Sequence, residues 1–431
     1  MFFNERIETM SREEMRAIQL AKLQRTIKRV YDRVPFYRER MDAIGLKPED
    51  IRSLKDIEKM PFTVKNDLRD NYPYGLFAEP MENIVRLHAS SGTTGKPIVA
   101  GYTKDDLENW AECIARLVTA AGASKNDIAQ ISFGYGLFTG AFGLHQGLEK
   151  LGATIIPISS GNTERQINIM RDFGATILIS TPSYALYMAE VAEKMGALKD
   201  IHIKYGIFGS EASTEEMRQE LEKRWGCLAT ENYGLTEVMG PGVSGECEYK
   251  CGMHINEDHF LCEIIDPVTG EVLPEGEQGE MVITTLSKQG MPMIRYRTRD
   301  ITRLLTEKCA CGRTTVRMEK IKGRSDDMLK IRGVNLFPSQ IESVLVGMPG
   351  VGPHYEILVT REGYMDKIEV KVELTAEEAL ENFAELEKLR RGISAKLRTV
   401  CQLDIPVKLV SPNTLKRFEG KAKRVTDLRN Q

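Results

Sequence analysis

The stretch HASSGTTGKP, residues 88–97, combines two serines, two threonines, two glycines and a lysine in one short run. Small residues let a backbone approach phosphate closely, hydroxyls donate to its oxygens, and a lysine adds positive charge. The stretch differs from the G-x-x-x-x-G-K-[ST] loop of common NTPases, because only two residues separate Gly92 from Gly95 and Pro97 follows Lys96. It predicts a phosphate-binding loop for another kind of nucleotide chemistry. The candidate binding residues are Ser90, Ser91, Gly92, Thr93, Thr94, Gly95 and Lys96.

A second group with recognisable chemistry consists of cysteines and histidines. Five of the eight cysteines lie between residues 247 and 311, in CEYKCGMH and CACG and at Cys262. Thiolates and imidazole in two clusters suit a tetrahedral zinc site, although the spacing is not that of a C-x₂-C finger. The four candidate ligands are Cys247, His254, Cys309 and Cys311. Cys251 and His259 are alternative ligands, Cys262 is expected in a strand core, and the alternative to zinc is a set of reduced thiols.

Four further stretches follow the glycine-rich loop in order: YGLTE (233–237), RYRTRD (295–300), GRSDDMLKIRG (323–333) and EGKAKR (419–424). In this order and at these distances they resemble the adenylate-forming superfamily of acyl-CoA synthetases, peptide-synthetase adenylation domains and luciferases. The resemblance runs from Ser90 to Arg424. FGYGLFTGAFGLHQGLEKLGATIIPISSGNTERQ, which begins at Phe133, and GRSDDMLKIRGVNLFPSQIE look closer to the phenylacetate–CoA ligase family.

The resemblance implies an ATP-dependent ligase with two chemical steps and with ATP, coenzyme A and Mg²⁺ as its cofactors. An aryl acid, with phenylacetate as the best candidate, attacks ATP to give acyl-AMP and pyrophosphate, and CoA thiolate then displaces AMP. Both transition states place negative charge on phosphate or carbonyl oxygens, so the site needs cations, hydroxyls and backbone N–H groups. The alternatives are another aromatic acid such as indoleacetate, another thiol acceptor, or a non-catalytic nucleotide-binding relative.

Four positions carry the reaction by this resemblance. Glu237 matches the residue that holds magnesium against the phosphates, with Thr236 beside it on the α-phosphate. Lys421 matches the C-terminal lysine that reaches the carboxylate and α-phosphate during adenylation, and Lys423 is its rival in GKAKR. Asp326 matches the hinge about which the C-terminal domain swivels between the two half-reactions.

The nucleoside contacts also follow from the resemblance. Asp300 would accept hydrogen bonds from the ribose hydroxyls, with Arg324 as a second ribose or phosphate contact. The residues expected around adenine are Asn232 and Tyr233 on one side and Ser210, Glu211 and Ala212 along the other edge. Without the resemblance, Tyr233 would be interpreted as an aromatic plug in the sheet and Asp300 as a partner of a neighbouring arginine.

The acid is expected in an aromatic pocket. Tyr135, Gly136, Phe138 and Phe142 follow a predicted strand, where aromatic rings could pack against an aryl substrate. Core packing between sheet and helix remains the alternative for each of them. Lys65 lies in a stretch that resembles the family's N-terminal segment, and the sequence gives it no role.

The elements that must position these residues follow from the hydrophobic pattern. Residues 12–42 show helical spacing with a charged outer face, which predicts an amphipathic helix packed on the body. From about 126 to 226 the chain alternates IAQISF, ATIIPI, ATILIS and KYGIFG with helix-period segments, which predicts a parallel sheet flanked by helices. Ligands bind at the carboxyl ends of such strands, and Ser210 lies just past KYGIFG.

The predicted fold class is α/β, with a large N-terminal domain over residues 1–325 and a smaller, mobile α+β domain over 326–431. The large domain would include a helical segment at about 1–75, the parallel sheet, and an antiparallel β-unit at about 240–320 rich in Pro/Gly turns. The C-terminal domain would contain a helix in SQIESVLVGM, strands in HYEILVT and KIEVKVEL, a long charged helix and a final strand PVKLV.

Bulk composition excludes several partner classes. The net charge of −3 gives no reason to expect nucleic acid or an acidic membrane surface, and no apolar run approaches a membrane span. The charged N-terminus does not read as a signal peptide, so the cysteines are expected as thiols in the cytoplasm. The resemblance suggests a homodimer.

Overall fold

The structure is a computed structural model of the 431-residue chain, and it describes residues 1–90, 97–211, 213–325, 329–331, 334–362, 365–376, 383–418 and 422–429. Some predicted site residues lie outside the described residues. They are Ser91, Gly92, Thr93, Thr94, Gly95, Lys96, Ala212, Asp326 and Lys421.

The helices of the described residues fall into an N-terminal group, a group that flanks the sheet, and a C-terminal pair. They are α1 (Glu5–Glu8), α2 (Arg12–Arg33), α3 (Pro35–Ala43), α4 (Lys65–Asp70), α5 (Lys104–Ala120), α6 (Thr139–Leu151), α7 (Thr163–Asp172), α8 (Pro182–Lys194), α9 (Glu215–Trp225), α10 (Pro338–Leu345) and α11 (Phe383–Cys401). Short 3₁₀ turns cover Pro48–Asp50, Leu54–Lys59, Met81–Asn83 and Leu198–Asp200.

The prediction of one helix over residues 12–42 is wrong, because the chain forms two helices that meet at Val34. Ser11 and Glu14 form a capping box at the start of α2, and Val34 is extended between α2 and α3. Pro35 disfavours the helical conformation at the residue before it, yet it fits the first turn of a new helix. The apolar spacing continues across the break, so the period alone could not reveal it.

The strands are given in chain order. They are β1 (Arg86–Ala89), β2 (Val99–Tyr102), β3 (Ile128–Ile131), β4 (Thr154–Ile156), β5 (Ile177–Ser180), β6 (Tyr205–Gly209), β7 (Leu228–Leu235), β8 (Gly240–Glu246), β9 (Met253–Ile255), β10 (Phe260–Ile265), β11 (Gly279–Thr285), β12 (Tyr296–Thr302), β13 (Leu304–Leu305), β14 (Arg317–Met318), β15 (Gly323–Arg324), β16 (Leu329–Ile331), β17 (Val334–Leu336), β18 (Val351–Glu362), β19 (Met365–Leu374), β20 (Val407–Val410) and β21 (Val425–Asp427).

The main sheet of the described residues has nine strands in the order β13-β14-β9-β8-β7-β6-β5-β3-β4. The strands β3 to β7 pair in parallel, which confirms the predicted alternation of strands and helices over this part of the chain. The local sequence explains how helix α8 begins and packs. Thr181 caps it, Pro182 occupies its first position, and its buried face packs against neighbouring apolar residues. The carboxyl ends of β6 and β7 therefore lie side by side.

The predicted β-unit over residues 240–320 is only partly right. Four antiparallel strands, in the order β10-β11-β12-β15, do form a sheet of their own. The strands β8, β9, β13 and β14 instead extend the main sheet antiparallel to β7 and to one another. Alternation of apolar residues predicts that a segment is a strand, but it does not say which sheet the strand joins.

The C-terminal region has its own core, as predicted for an α+β unit. A four-stranded sheet in the order β20-β19-β18-β21 packs with α10 and α11, and a hairpin of β16 and β17 precedes it. The structure adds β21 and this hairpin to the predicted elements. Among the described residues, contacts that join the region to the rest of the chain include His354 Nε2, 3.0 Å from the Glu190 carboxylate, and the Ser339 hydroxyl, which donates to the Lys322 carbonyl at 2.6 Å. No helix of the described residues is long and apolar enough to cross a membrane.

Candidate active site

A cavity of about 340 Å³ opens at the carboxyl ends of β6 and β7, where the sequence predicts a ligand site. Pro338 and Ser339 at the start of α10 also line it, so residues from both parts of the chain contribute to it. The predicted residues that line it are Ser210, Glu211, Asn232, Tyr233, Asp300 and Arg324. The structure thus brings together residues from three separate motifs of the sequence.

Asp300 is held in place by two neighbours in this cavity. The Tyr233 hydroxyl donates to Asp300 Oδ2 at 2.6 Å, and Arg324 Nη1 donates to Oδ1 at 3.1 Å. Asp300 and Arg324 face each other across β12 and β15, which fixes their register. Burial, reinforced by the Asp300 carboxylate, raises the pKa of Tyr233 well above its usual value, so its hydroxyl stays a donor. The carboxylate is oriented in advance, as a hydrogen-bond acceptor for a diol requires.

The strand position after Tyr233 requires glycine. A Cβ on Gly234 would lie 1.9 Å from the carbonyl oxygen of Gly240, because β7 and β8 approach each other closely there. Asn232, one residue before Tyr233, donates its side-chain amide to the Phe208 carbonyl at 2.8 Å. This bond ties β7 to β6 beside the cavity. Backbone packing therefore explains the glycine of the Tyr-Gly pair. The sequence-based prediction of a ligand contact concerns the tyrosine.

Thr236 and Glu237 follow at the end of β7. The Thr236 hydroxyl lies 3.2 Å from the hydroxyl of Thr139, the first residue of α6. Glu237 is 7% exposed, and its Oε1 lies 3.8 Å from Lys65 Nζ on α4. A carboxylate and a hydroxyl in sequence are hard oxygen ligands of the kind Mg²⁺ prefers. Lys65, which the sequence could not assign, thus enters the site by an ion pair that only the folded chain shows.

Glu211 links the cavity to the C-terminal end of the chain. Its Oε1 accepts from the backbone N–H of Ser183 at the start of α8 at 2.7 Å, and its Oε2 accepts from the backbone N–H of Ala422 at 2.9 Å. Ala422 is the residue after Lys421, which lies outside the described residues. Sequence reasoning placed Glu211 along adenine but missed this second contact, for which no local signal exists.

The glycine-rich loop is bracketed by the hairpin of β1 and β2. Ser90, its described residue, exchanges two bonds with Ile98: its N–H donates to the Ile98 carbonyl at 2.9 Å, and its hydroxyl accepts from the Ile98 N–H at 3.0 Å. The rest of the predicted loop lies outside the described residues. Ser90 therefore closes the base of the hairpin.

Two of the residues predicted for the acyl pocket contact each other. Tyr135 and Phe142 meet edge to face with ring centroids 5.3 Å apart, and the Tyr135 hydroxyl lies 3.0 Å from His145 Nδ1. Gly136 adopts a φ of +136°, which its lack of a Cβ allows. Phe138, by contrast, is 50% exposed at the start of α6, so its ring is less enclosed than that aromatic pair.

The four candidate zinc ligands lie side by side, and none of them is among the residues that line the cavity. The ligand atoms of Cys247, His254, Cys309 and Cys311 all lie within 4.8 Å of one another. The sulfurs of Cys247 and Cys309 are 3.7 Å apart, close to the edge of about 3.8 Å that bonds of ~2.3 Å give in a tetrahedron. Cys311 Sγ lies 3.3 Å from His254 Nε2, and His254 Nδ1 is 3.1 Å from the Thr315 hydroxyl. That outer contact leaves Nε2 free to bind a metal.

Two alternative ligands have different surroundings. Cys251 is exposed, and its sulfur lies 3.7 Å from that of Cys309, so it borders the cluster. His259 instead lies 3.1 Å from Asp258 and is buried. The geometry thus groups the four residues chosen from the sequence, with Cys251 at the rim.

Comparison with known proteins places the chain among enzymes. The family model "AMP-binding enzyme" matches residues 7–288, and "AMP-binding enzyme C-terminal domain" matches residues 333–429. A phenylacetate-coenzyme A ligase from Thermus thermophilus is 48% identical over the full length of both chains. One from Pseudomonas putida is 50% identical over 98% of this chain and 96% of its own.

A solved structure is similar over almost the whole chain. The 2-hydroxyisobutyryl-CoA ligase in the postadenylation state with R3-HIB-AMP superposes with a TM-score of 0.93 at 30% identity, covering 98% of this chain and 92% of its own. The same ligase with 2-HIB-AMP and CoA in the thioesterification state gives 0.73 over 99% and 92%. The arrangement described here is thus nearer to the first state.

Proposed function

We infer the activity of this chain from its membership: it belongs to the AMP-binding enzyme family and, within that family, to the phenylacetate–CoA ligases. It is an AMP-forming acid–CoA ligase that activates an acid with ATP and then transfers the acyl group to coenzyme A. We propose phenylacetate as its acid. The observation that carries this choice is identity of 48–50% over nearly the whole chain to ligases named for that acid.

The cavity supports a division of labour among its residues. Asp300, oriented by Tyr233 and Arg324, would accept the two ribose hydroxyls of ATP, and the Tyr233 ring would lie along adenine. Thr236 and Glu237 would meet the α-phosphate and Mg²⁺, with Lys65 offsetting negative charge at 3.8 Å from Glu237. When bound, Mg²⁺ would neutralise phosphate charge and so favour departure of pyrophosphate.

We propose that Lys421 donates to the reacting oxygens during adenylation only. Ala422, its neighbour in sequence, is bonded to Glu211 at the mouth of the cavity, which supports this role. The segment from Ser90 to Lys96 would hold the departing phosphates, and rotation about Asp326 would remove Lys421 before CoA attacks. The pair Tyr135–Phe142 would contact the aryl ring, with Gly136 beside it, and Phe138 would approach only at the rim.

We also propose that the cluster of Cys247, His254, Cys309 and Cys311 holds a structural zinc ion. Two cysteine sulfurs at 3.7 Å, an imidazole oriented by Thr315, and four ligand atoms within 4.8 Å of one another support a closed tetrahedral site. The ion would fasten the segments around β9 and β14 and take no part in acyl transfer. We further expect a homodimer in the cytoplasm, where ATP and CoA are supplied; light scattering tests the dimer.

The decisive experiment measures AMP release from purified protein with ATP and Mg²⁺, with phenylacetate, indoleacetate, benzoate, acetate or octanoate, each with and without CoA. We expect AMP formation with phenylacetate to rise sharply when CoA is added. Strong turnover of indoleacetate or benzoate instead would replace the proposed acid. Acid-dependent ATP–pyrophosphate exchange that CoA does not affect would indicate another acceptor, and no AMP with any acid would overturn the proposal.

A further inference from the structure

Lys288 is a buried cation outside the residues assigned so far. It is 3% exposed, and its Nζ has no hydrogen-bond partner among the described residues. Removing an ammonium group from water without a hydrogen bond is costly, so a compensating interaction is expected. Lys288 Nζ lies 4.0 Å from the ring centroid of Tyr102, within the range of a cation–π contact.

Tyr102 stands at the centre of a stack of aromatic rings. It is fully buried, and Trp110 on α5 stacks against it with centroids 5.2 Å apart and planes 16° from parallel. His88 on β1 meets its edge at 5.5 Å. The Tyr102 ring thus has Lys288, Trp110 and His88 around it. We call Lys288, Tyr102 and Trp110 the cation–aromatic stack.

The cation–aromatic stack contacts the turn that contains Glu237 through two hydrogen bonds. The Tyr102 hydroxyl donates to the Met239 carbonyl at 2.6 Å, and Trp110 Nε1 donates to the Pro241 carbonyl at 2.7 Å. A Cβ on Gly240 would lie 2.4 Å from the Trp110 ring, which shows how closely the turn packs there. Two carbonyls within four residues of Glu237 are therefore fixed by the stack.

The position of Lys288 is fixed from the other side. Asp106 on α5 accepts from the backbone N–H groups of Gln289 at 2.6 Å and Gly290 at 2.9 Å. The carboxylates of Asp106 and Glu237 are also the negative charges that favour the ammonium form, against burial. Asp106 is occupied by these backbone donors, whereas Glu237 is the proposed metal ligand. The buried charge thus lies within electrostatic reach of the phosphate site.

We propose that Lys288 is a positioning residue for Glu237: through the cation–aromatic stack it orients the turn that presents this carboxylate to the metal ion of the ATP complex. The inference rests on the proposed role of Glu237. The stack can orient the turn without an additional ligand, because the stack, the carbonyls of Met239 and Pro241 that it contacts, and Gly240 pack together as one continuous unit. Lys288 itself need not touch a phosphate.

The experiment compares wild type with Lys288→Met, which keeps an unbranched side chain one atom shorter than lysine and removes its charge. Phenylacetate-dependent ATP–pyrophosphate exchange is measured against buffered free Mg²⁺, and thioester formation is measured from supplied phenylacetyl-AMP. We expect the Mg²⁺ concentration at half-maximal exchange to rise about 10-fold in the variant, as for loss of an outer contact to a metal ligand. Thioester formation should change less than 2-fold.

Two further variants separate positioning from general damage. Lys288→Arg keeps a cation over the ring and should recover part of the Mg²⁺ response. Tyr102→Phe removes the bond to Met239 while keeping the ring, and should shift the Mg²⁺ response in the same direction as Lys288→Met, with the double variant no worse than the more severe single one. An unchanged Mg²⁺ response in Lys288→Met and Tyr102→Phe overturns the inference. If wild type shows no acid-dependent exchange, the proposed function fails instead.

Discussion

The cavity at the carboxyl ends of β6 and β7 and the Cys/His cluster both bring polar side chains together, but they differ in how much room they leave. The cavity encloses about 340 Å³ between β7, β12 and α10, and its carboxylates and hydroxyls point to a space. In the cluster, four ligand atoms lie within 4.8 Å of one another, and Cys247 is fully buried. An open site can exchange ligands at every turnover, whereas a closed site of this kind can only hold an ion that stabilises it.

The two regions also draw on the chain differently. The cluster comes from two short segments, 247–254 and 309–311, so local spacing almost defines it. The cavity combines Ser210, Asp300, Arg324 and the start of α10, and the C-terminal segment contacts one of its lining residues through the hydrogen bond from Ala422 to Glu211. Changes in the cavity should therefore affect rates, and changes in the cluster should affect stability.

The largest expected effect is on adenylation. Lys421→Ala should slow acid-dependent ATP–pyrophosphate exchange by about 10²–10³-fold, as for the loss of a donor to transition-state charge. Thioester formation from supplied phenylacetyl-AMP should be spared, since in the proposed mechanism Lys421 leaves the site before CoA attacks. Lys423→Ala is the matched control and should keep exchange within 3-fold. Equal losses in both half-reactions would remove Lys421 from this role.

The next largest effect tests the closed region. Cys309→Ser should lower the free energy of unfolding by about 2–4 kcal/mol, because it removes one ligand of the proposed ion from a buried cluster. Zinc content, measured by elemental analysis, should fall from one ion per chain. Cys251→Ser, at the rim, should keep both zinc and stability. If Cys309→Ser keeps its stability while losing acyl-CoA formation, the division between the two regions is wrong.

A smaller effect concerns Tyr233 in the open region. Tyr233→Phe keeps the ring that would lie along adenine and removes the hydroxyl that donates to Asp300. The loss of one hydrogen bond to a carboxylate, about 1.5 kcal/mol, should raise the KM for ATP by roughly 10-fold. The melting temperature should move little. A large fall in melting temperature with an unchanged KM would mean that the bond serves the fold.

The smallest effect concerns stability and pH near the cation–aromatic stack. Burial lowers the pKa of Lys288 to about 8 from 10.5, against the attraction of Asp106 and Glu237, with Tyr102 and His88 also close by. Between pH 8 and pH 10.5, Lys288 is protonated in the unfolded chain but not in the folded chain. The destabilisation that the buried charge causes is therefore complete below pH 8 and decreases towards pH 10.5. Lys288→Met should therefore be the more stable protein at pH 7.

Urea unfolding at pH 7 and at pH 9.5 measures this difference in stability between Lys288→Met and wild type. The advantage of the variant should narrow at the higher pH. An advantage that grows with pH would contradict the assigned direction of the pKa shift. If Lys288→Met is more stable than wild type yet needs more Mg²⁺, the two regions differ further. The buried charge of Lys288 would then lower the stability of the fold while supporting the response to Mg²⁺ at the open site.

Much of the fold was predictable because its signals are local. The strands β3, β5 and β6 and the helices α7 and α8 have short apolar runs or helical spacing bounded by Gly, Pro and capping residues. The break at Val34 and the membership of β8 and β9 in the main sheet were not predicted. Both depend on how segments pack against distant partners, and the period of a segment carries no record of its partner.

The sequence by itself determined the order of the motifs, the residue types that phosphate, ribose and metal require, and thereby the family. The tertiary structure alone decided that Lys65 pairs with Glu237, that Tyr233 orients Asp300, that Glu211 bonds to Ala422, and that Lys288 lies over Tyr102. These contacts join residues from 67 positions apart, as in Tyr233 and Asp300, to 211 positions apart, as in Glu211 and Ala422. Residue types determine which chemistry is possible, but the distances between these residues arise only when separate segments of the chain pack together.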